Sequence, residues 1–150
     1  MSDTFHDFDL ERFLPYLLNQ AAEETSRGFH AAYRDRYGMT RTQWRVLANL
    51  GKFGAMTARD ICAISHMEKT KVSRSISALE VTEILTRTTS TQDRRVEILA
   101  LTAKGKEVFA DLGQLAIAYD ASLRARLGPS QSAQLDTLLQ LLKTLASAAP

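Results

Sequence analysis

Apolar residues recur along this chain first at helical spacing, then at strand spacing, then at helical spacing again. Leu17, Leu18, Ala21, Ala22, Phe29, Ala32 and Tyr33 follow a helical period. They predict a first helix from near Pro15, which suits a first turn, to about Tyr37, with Gly38 as its stop. Residues 1–9 read as a loose leader, and Leu10 to Leu14 as an apolar approach to Pro15. Thr40-Arg41-Thr42-Gln43 has the form of a capping box. It opens a second helix with Trp44, Leu47 and Leu50 on its apolar side, which Gly51 and Gly54 are expected to end. Thr57-Ala58-Arg59-Asp60 is a second box, with Asp in place of Glu. It opens a short third helix ending near Ile64. Ser65 to Glu68 is a turn, and a fourth helix runs from about Lys69 to Thr82.

The period then shortens. Ile84 to Thr89 is rich in β-branched residues, and Val96 to Leu101 reads as a second strand. The polar run Ser90-Thr91-Gln92-Asp93-Arg94-Arg95 between them suits a hairpin tip. Thr102 caps a fifth helix that reaches about Leu127, and Gly128-Pro129 starts a sixth. Val108, Leu112, Leu115, Ala116, Tyr119 and Leu123 stripe the fifth helix. Leu135, Leu138, Leu139, Leu142 and Leu145 stripe the sixth. The expected fold class is α+β and mostly helical.

Composition narrows the function. The 150 residues suit one domain, 45% apolar and 24% charged. No apolar run approaches the ~20 residues that span a bilayer, so no membrane role is expected. Met1 to Leu10 lacks the basic start and apolar stretch of a signal peptide. A single cysteine, Cys62, fits a reducing compartment. Together these predict a cytoplasmic protein. No metal-ligand spacing, phosphate-cradling glycine loop, nucleophile elbow or triad is present. The expectation is therefore no cofactor, no metal and no catalysis.

Charge is unevenly distributed. From Arg41 to Lys106 there are twelve Lys/Arg against six Asp/Glu, while the rest of the chain has seven against eleven. A basic middle between acidic flanks faces an anion, and nucleic acid is the commonest large one. The two helices between Thr57 and Thr82 form a helix-turn-helix candidate. On the second of them Val72, Ile76 and Leu79 fall in one narrow arc. The opposite arc carries Thr70, Arg74 and Ser77, flanked by Lys71 and Ser73, and Lys69 to Ala78 contains no acid. Short hydrogen-bonding side chains with an Arg or Lys are what a helix entering a major groove requires. A solvated amphipathic helix usually mixes both signs. Arg94 and Arg95 at the hairpin tip, with Asp93 to hold one of them extended, make the hairpin a wing that reaches the minor groove or backbone.

These segments resemble the MarR family of winged helix-turn-helix transcriptional regulators. The resemblance rests on Thr42-Gln43-Trp44-Arg45-Val46-Leu47, on Met67-Glu68-Lys69-Thr70-Lys71-Val72-Ser73-Arg74, and on Asp93-Arg94-Arg95 followed by Leu99-Ala100-Leu101-Thr102-Ala103-Lys104-Gly105. Their order and spacing fit from about Leu14 to Leu145. The resemblance implies a homodimer with a helical dimerisation lobe, residues 15–37 and 103–147, and a DNA-binding lobe, residues 40–102. The apolar stripes of the first, fifth and sixth helices suit such a lobe independently. It further implies a pseudo-palindromic double-stranded DNA operator with half-sites about 10 bp apart and repression of the protein's own or a neighbouring gene. In many members a small aromatic or phenolic effector releases the DNA. Trp44, Phe29 and Tyr33 are the candidate effector contacts, although aromatics at helical spacing also build cores.

Two turn positions that are usually glycine in the family are His66 and Glu83 here, and a positive φ at either would be strained by roughly 1 kcal/mol. Cys62 is expected to be an inert thiol, since peroxide-sensing relatives carry their cysteine near the first helix. Lys104 and Lys106 suit either phosphate or solvent. The alternative reading is a winged helix used for protein contact without specific DNA binding, which would favour an apolar or mixed-charge face on the fourth helix.

Overall fold

In a computed structural model that describes residues 7–148, the order of elements is α1 (Leu14–Tyr37), α2 (Arg41–Phe53), α3 (Ala58–Ser65), α4 (Lys69–Val81), β1 (Leu85–Thr89), β2 (Glu97–Leu101), α5 (Ala103–Leu127) and α6 (Pro129–Ser147). The α+β, mostly helical expectation holds. Part of the expected leader, residues 1–6, lies outside the described residues, as does His6. The approach to α1 is not featureless: Leu10–Arg12 forms a 3-10 turn capped by Asp9, whose carboxylate accepts from the Glu11 N–H at 3.0 Å.

The chain divides into two compact units, one up to Leu112 and one from Gly113. The first is built around the apolar arcs of α2, α3 and α4. Val46, Leu47, Ile61, Val72, Ile76 and Leu79 are at most 1% exposed. Each such burial contributes roughly 1.5–3 kcal/mol. Both capping boxes close as expected. Thr40 Oγ1 accepts from the Gln43 N–H at 3.2 Å, and Thr57 Oγ1 from the Asp60 N–H at 3.1 Å. Accepting the main-chain N–H of Thr57 holds the Asp60 carboxyl below its usual range. Gly51 does not end α2, contrary to the expectation. The helix runs on to Phe53 and stops at Gly54. Gly51 is instead a contact point, because a methyl group there would stand 2.5 Å from the ring of Phe109.

β1 and β2 pair antiparallel, with Leu85 opposite Leu101 and Thr89 opposite Glu97. Met56 adds a one-residue bridge to Leu99, with two main-chain bonds of 3.0 and 2.9 Å. This ties the α2–α3 connection to the outside of the hairpin. α5 starts where Thr102 Oγ1 accepts from the Gly105 N–H at 2.9 Å. Arg36 Nη1 donates to Asp111 at 2.7 Å and the Tyr37 hydroxyl at 2.6 Å. Those two bonds, the tyrosine's first, hold the Asp111 carboxyl below its usual range.

Both suspected turns adopt the left-handed conformation, His66 at φ 55° and Glu83 at φ 61°. Hydrogen bonds hold Glu83 there. Its N–H donates to Glu80 O at 3.0 Å, the next N–H, of Ile84, donates to Leu79 O at 2.9 Å, and the Thr102 hydroxyl donates to Glu83 O at 2.6 Å. All of these bonds are to main-chain groups of the turn and survive removal of the Glu83 side chain. Glu83→Gly should therefore relieve strain and raise stability by up to about 1 kcal/mol, less what the more flexible unfolded chain takes back. A urea midpoint below that of the wild type would contradict the assignment of strain.

The second unit holds the rest of α5 and α6, joined through Gly128 at φ 95°. Arg124 ties the two helices: Nε donates to Asp120 at 2.8 Å, and Nη1 to Ser132 Oγ at 2.9 Å and to Asp136 at 2.8 Å. Many apolar side chains stay open to solvent. In the first unit Phe8, Leu10, Phe13, Leu14 and Leu17 are 46–65% exposed; in the second, Leu135, Leu138, Leu141 and Leu145 are 43–59% exposed. No helix among the described residues is long and apolar enough to cross a membrane.

Candidate nucleic-acid interface

α4 separates its faces as its residue pattern predicts. Val72, Ile76 and Leu79 turn inward together with Ser75, which is 5% exposed. Thr70, Lys71, Ser73, Arg74 and Ser77 are all exposed. The helix begins at Lys69 without a side-chain cap, so its first N–H groups point outward unpaired by a capping residue. That end suits an anion.

The turn before α4 is held from α2. Arg45 is half-buried and its Nη2 donates to Ser65 O at 3.0 Å, at the C-terminal end of α3. A cation there complements the helix dipole, while burial lowers the Arg45 pKa. On the neighbouring turn of α2, Arg41 Nη1 meets Glu23 of α1 at 2.7 Å. That hydrogen bond lowers the Glu23 carboxyl.

The hairpin tip is an ordered turn. Ser90 N–H donates to Val96 O at 2.8 Å, and Ser90 Oγ accepts from the Gln92 N–H at 3.2 Å. Asp93 Oδ1 accepts from the Arg95 main-chain N–H at 3.0 Å. Its carboxylate thus fixes the backbone of the tip rather than a guanidinium. Arg94 and Arg95 are exposed beyond it. Among the described residues no carboxylate pairs with Lys71, Arg74, Arg94 or Arg95. Unpaired exposed cations are available to a polyanion at no cost in broken ion pairs.

The three aromatic residues proposed for an effector come together, but mainly with one another. Phe29 and Trp44 ring centroids are 5.4 Å apart, Phe29 and Tyr33 5.8 Å, and Tyr33 stacks on Trp44 at 6.2 Å. Phe29 and Tyr33 are buried and Trp44 is half-buried. Burial pushes the Tyr33 hydroxyl pKa up. Cys62 is half-buried on α3. Lys104 donates to Thr82 O at 2.8 Å, so it serves the end of α4.

Sequence reasoning missed Arg87. This residue of β1 bonds Ser77 on α4 at 3.0 Å and Glu97 on β2 at 3.1 Å, and meets Glu80 at 3.2 Å. Its positive charge in a run of threonines was the available signal.

Two helices joined by a tight turn, followed by a two-stranded hairpin with a basic tip, define a winged helix-turn-helix DNA-binding protein. The MarR family model matches residues 37–96, from the end of α1 through the tip of the wing. Two proteins of Bacillus subtilis (strain 168) are similar in sequence. The HTH-type transcriptional regulator YwoH is 24% identical over 116 residues, 77% of this chain and 83% of YwoH. The HTH-type transcriptional repressor MdtR is 32% identical over 78 residues, 52% of this chain and 50% of MdtR. Solved structures share the fold. A MarR/EmrR family regulator from Acinetobacter sp. ADP1 has a TM-score of 0.82 at 22% identity, over 95% of this chain and 100% of that one. The MarR family regulator SPO1453 from Silicibacter pomeroyi DSS-3 has a TM-score of 0.80 at 28% identity, over 93% and 99%. BpsR of Bordetella bronchiseptica, whose DNA binding is regulated by 6-hydroxynicotinic acid, has a TM-score of 0.78 at 22% identity, over 95% and 99%.

Proposed function

We propose that the protein is a homodimeric repressor that reads a pseudo-palindromic operator in double-stranded DNA. The observation that carries this reading is the acid-free stretch of α4 from Lys69 to Ala78, whose exposed Lys71 and Arg74 pair with no carboxylate among the described residues, beside a wing tip whose Arg94 and Arg95 are likewise unpaired among them. In this reading Arg74 contacts a guanine or an adjacent phosphate in the major groove. Thr70, Lys71, Ser73 and Ser77 set the register on the backbone. Asp93 shapes the tip that delivers Arg94 and Arg95 to the neighbouring minor groove, where negative potential is concentrated. An apolar or mixed-charge α4 would have favoured a protein partner, and this face is neither.

Dimerisation through residues 15–37 and 103–147 is supported by the solvent-open leucines and phenylalanines at the start of α1 and along α6. Covering such surface is what a second subunit does. Repression requires only that the dimer occlude a promoter. An aromatic or phenolic effector is supported by the half-buried Trp44 and by the relative BpsR, and it would act by favouring one arrangement of the two lobes. The alternative, a winged helix for protein contact, predicts no protected DNA. DNase footprinting on the fragment upstream of the protein's own gene tests the reading. Two protected half-sites centred about 10 bp apart are expected. Protection of a single half-site would contradict the dimer, and none at any site would favour the alternative.

A further inference from the structure

Arg87 stands where the recognition helix meets the wing, and one side chain joins three elements there. Nη2 donates to Ser77 Oγ at 3.0 Å. Nε donates to the Glu80 carboxylate, 3.3 Å from Oε1 and 3.2 Å from Oε2, and Nη1 donates to Glu97 Oε2 at 3.1 Å. Ser77 and Glu80 lie three residues apart on α4, so they share a face. Glu97 lies on β2 two residues from Leu99, the direct partner of Arg87 across the ladder, which makes it a diagonal neighbour. The Arg87 side chain is only 29% exposed. A planar guanidinium spreads its donors over three nitrogens in a fixed fork and so reaches three separated partners at once; an ammonium has three donors too, but on a single atom.

These contacts cross the junction between the recognition helix and the wing. Between α4 and β1 the chain turns through Glu83 in a left-handed conformation; the hairpin is also tied by the Thr102 bonds to Glu83 and Ile84 at its root and by the Met56–Leu99 bridge at the rung of Arg87. The wing tip lies at the far end of β1 and β2. Any rotation at the root is therefore magnified at Arg94 and Arg95.

We propose that Arg87 is a positioning residue that locks the wing to the recognition helix, and that Arg94 and Arg95 reach DNA only while the Ser77–Arg87–Glu80/Glu97 cluster is intact. This rests on the DNA-binding reading above. Arg87 itself makes no phosphate contact, because two carboxylates already neutralise it. Ser77 belongs to this lock through its oxygen, and its own proton is left for a backbone phosphate.

The test uses the full-length protein on the DNA fragment upstream of its own gene, with Arg87→Met, Arg87→Lys, Glu97→Gln and Arg95→Ala, and the Arg87→Met/Arg95→Ala double variant. Arg95→Ala alone should lower affinity about tenfold, but less than about twofold when Arg87 is already Met, since coupled residues are not additive. Hydroxyl-radical protection of the flanking minor groove should fade in Arg87→Met and Arg87→Lys, while methylation protection of major-groove guanines persists. A residue that merely stabilised the fold would weaken both protections together. Glu97→Gln, which removes one arm at an exposed carboxylate, should show the same loss to a smaller degree and serves if Arg87→Met does not fold. Full minor-groove protection with additive effects of Arg87 and Arg95 would overturn the proposal while leaving the DNA-binding reading intact. Absence of any wild-type protection would overturn both.

Discussion

Arg74→Ala is expected to lower affinity for the specific operator by about tenfold to a hundredfold per half-site, the usual worth of a bidentate base contact. The side chain projects from the exposed face of α4, and among the described residues no carboxylate holds it. Its loss should relax discrimination at one base position in each half-site and leave binding to random DNA nearly unchanged. Arg95→Ala should behave differently. The tip arginine reads potential rather than base identity, so its removal should weaken binding to all sequences and reduce the slope of log affinity against log salt by about 1 per contact. Titrations of both variants against operator and random duplex separate the two roles. Unchanged affinity in both would remove α4 and the wing from the DNA face.

The largest expected effect on stability lies away from the interface, at Gly105. It is buried in the first turn of α5, and a methyl group there would overlap the carbonyl oxygen of Ile84 and stand 3.3 Å from Cβ of Leu101. The obstacle is main chain, which cannot swing aside as a side chain does. The same carbonyl accepts the Thr102 N–H at 3.0 Å, so pushing α5 away also breaks the bond that seats it on the wing. Gly105→Ala should cost about 3 kcal/mol, at the upper end for overpacking, and lower the melting temperature by roughly 10 °C. A melting temperature within a degree or two of the wild type would show that α5 does not sit this close to β1. The wing should suffer with the fold, so operator affinity should fall as well.

Much of the interface was legible because it follows one helical period. Val72, Ile76 and Leu79 mark the buried arc of α4, and the polar arc is then fixed by geometry. The wing was legible as one strand rich in β-branched residues and one with apolar Val96, Ile98 and Leu99, around a polar tip. His66 and Glu83 were suspect because a glycine was expected, and both do hold a positive φ. What escaped depends on pairings that no local pattern encodes. Arg87 meets Ser77, Glu80 and Glu97 only through the turn at Glu83 and the register of the hairpin. Asp111 meets Arg36 and Tyr37 across about half the chain. Met56 pairs with Leu99 as a single residue, too short to alternate. Gly51 looked like a stop because glycine weakens helices, yet the ring of Phe109 needs the space that its missing side chain leaves.

Sequence-specific DNA recognition by α4 and the wing is decided by titrating the full-length protein against the fragment upstream of its own gene. Random duplex of equal length is the control, at two salt concentrations. Salt-dependent binding that exceeds the random duplex by about 10³ or more is expected. Binding equal to that of random DNA at both salt concentrations would contradict it.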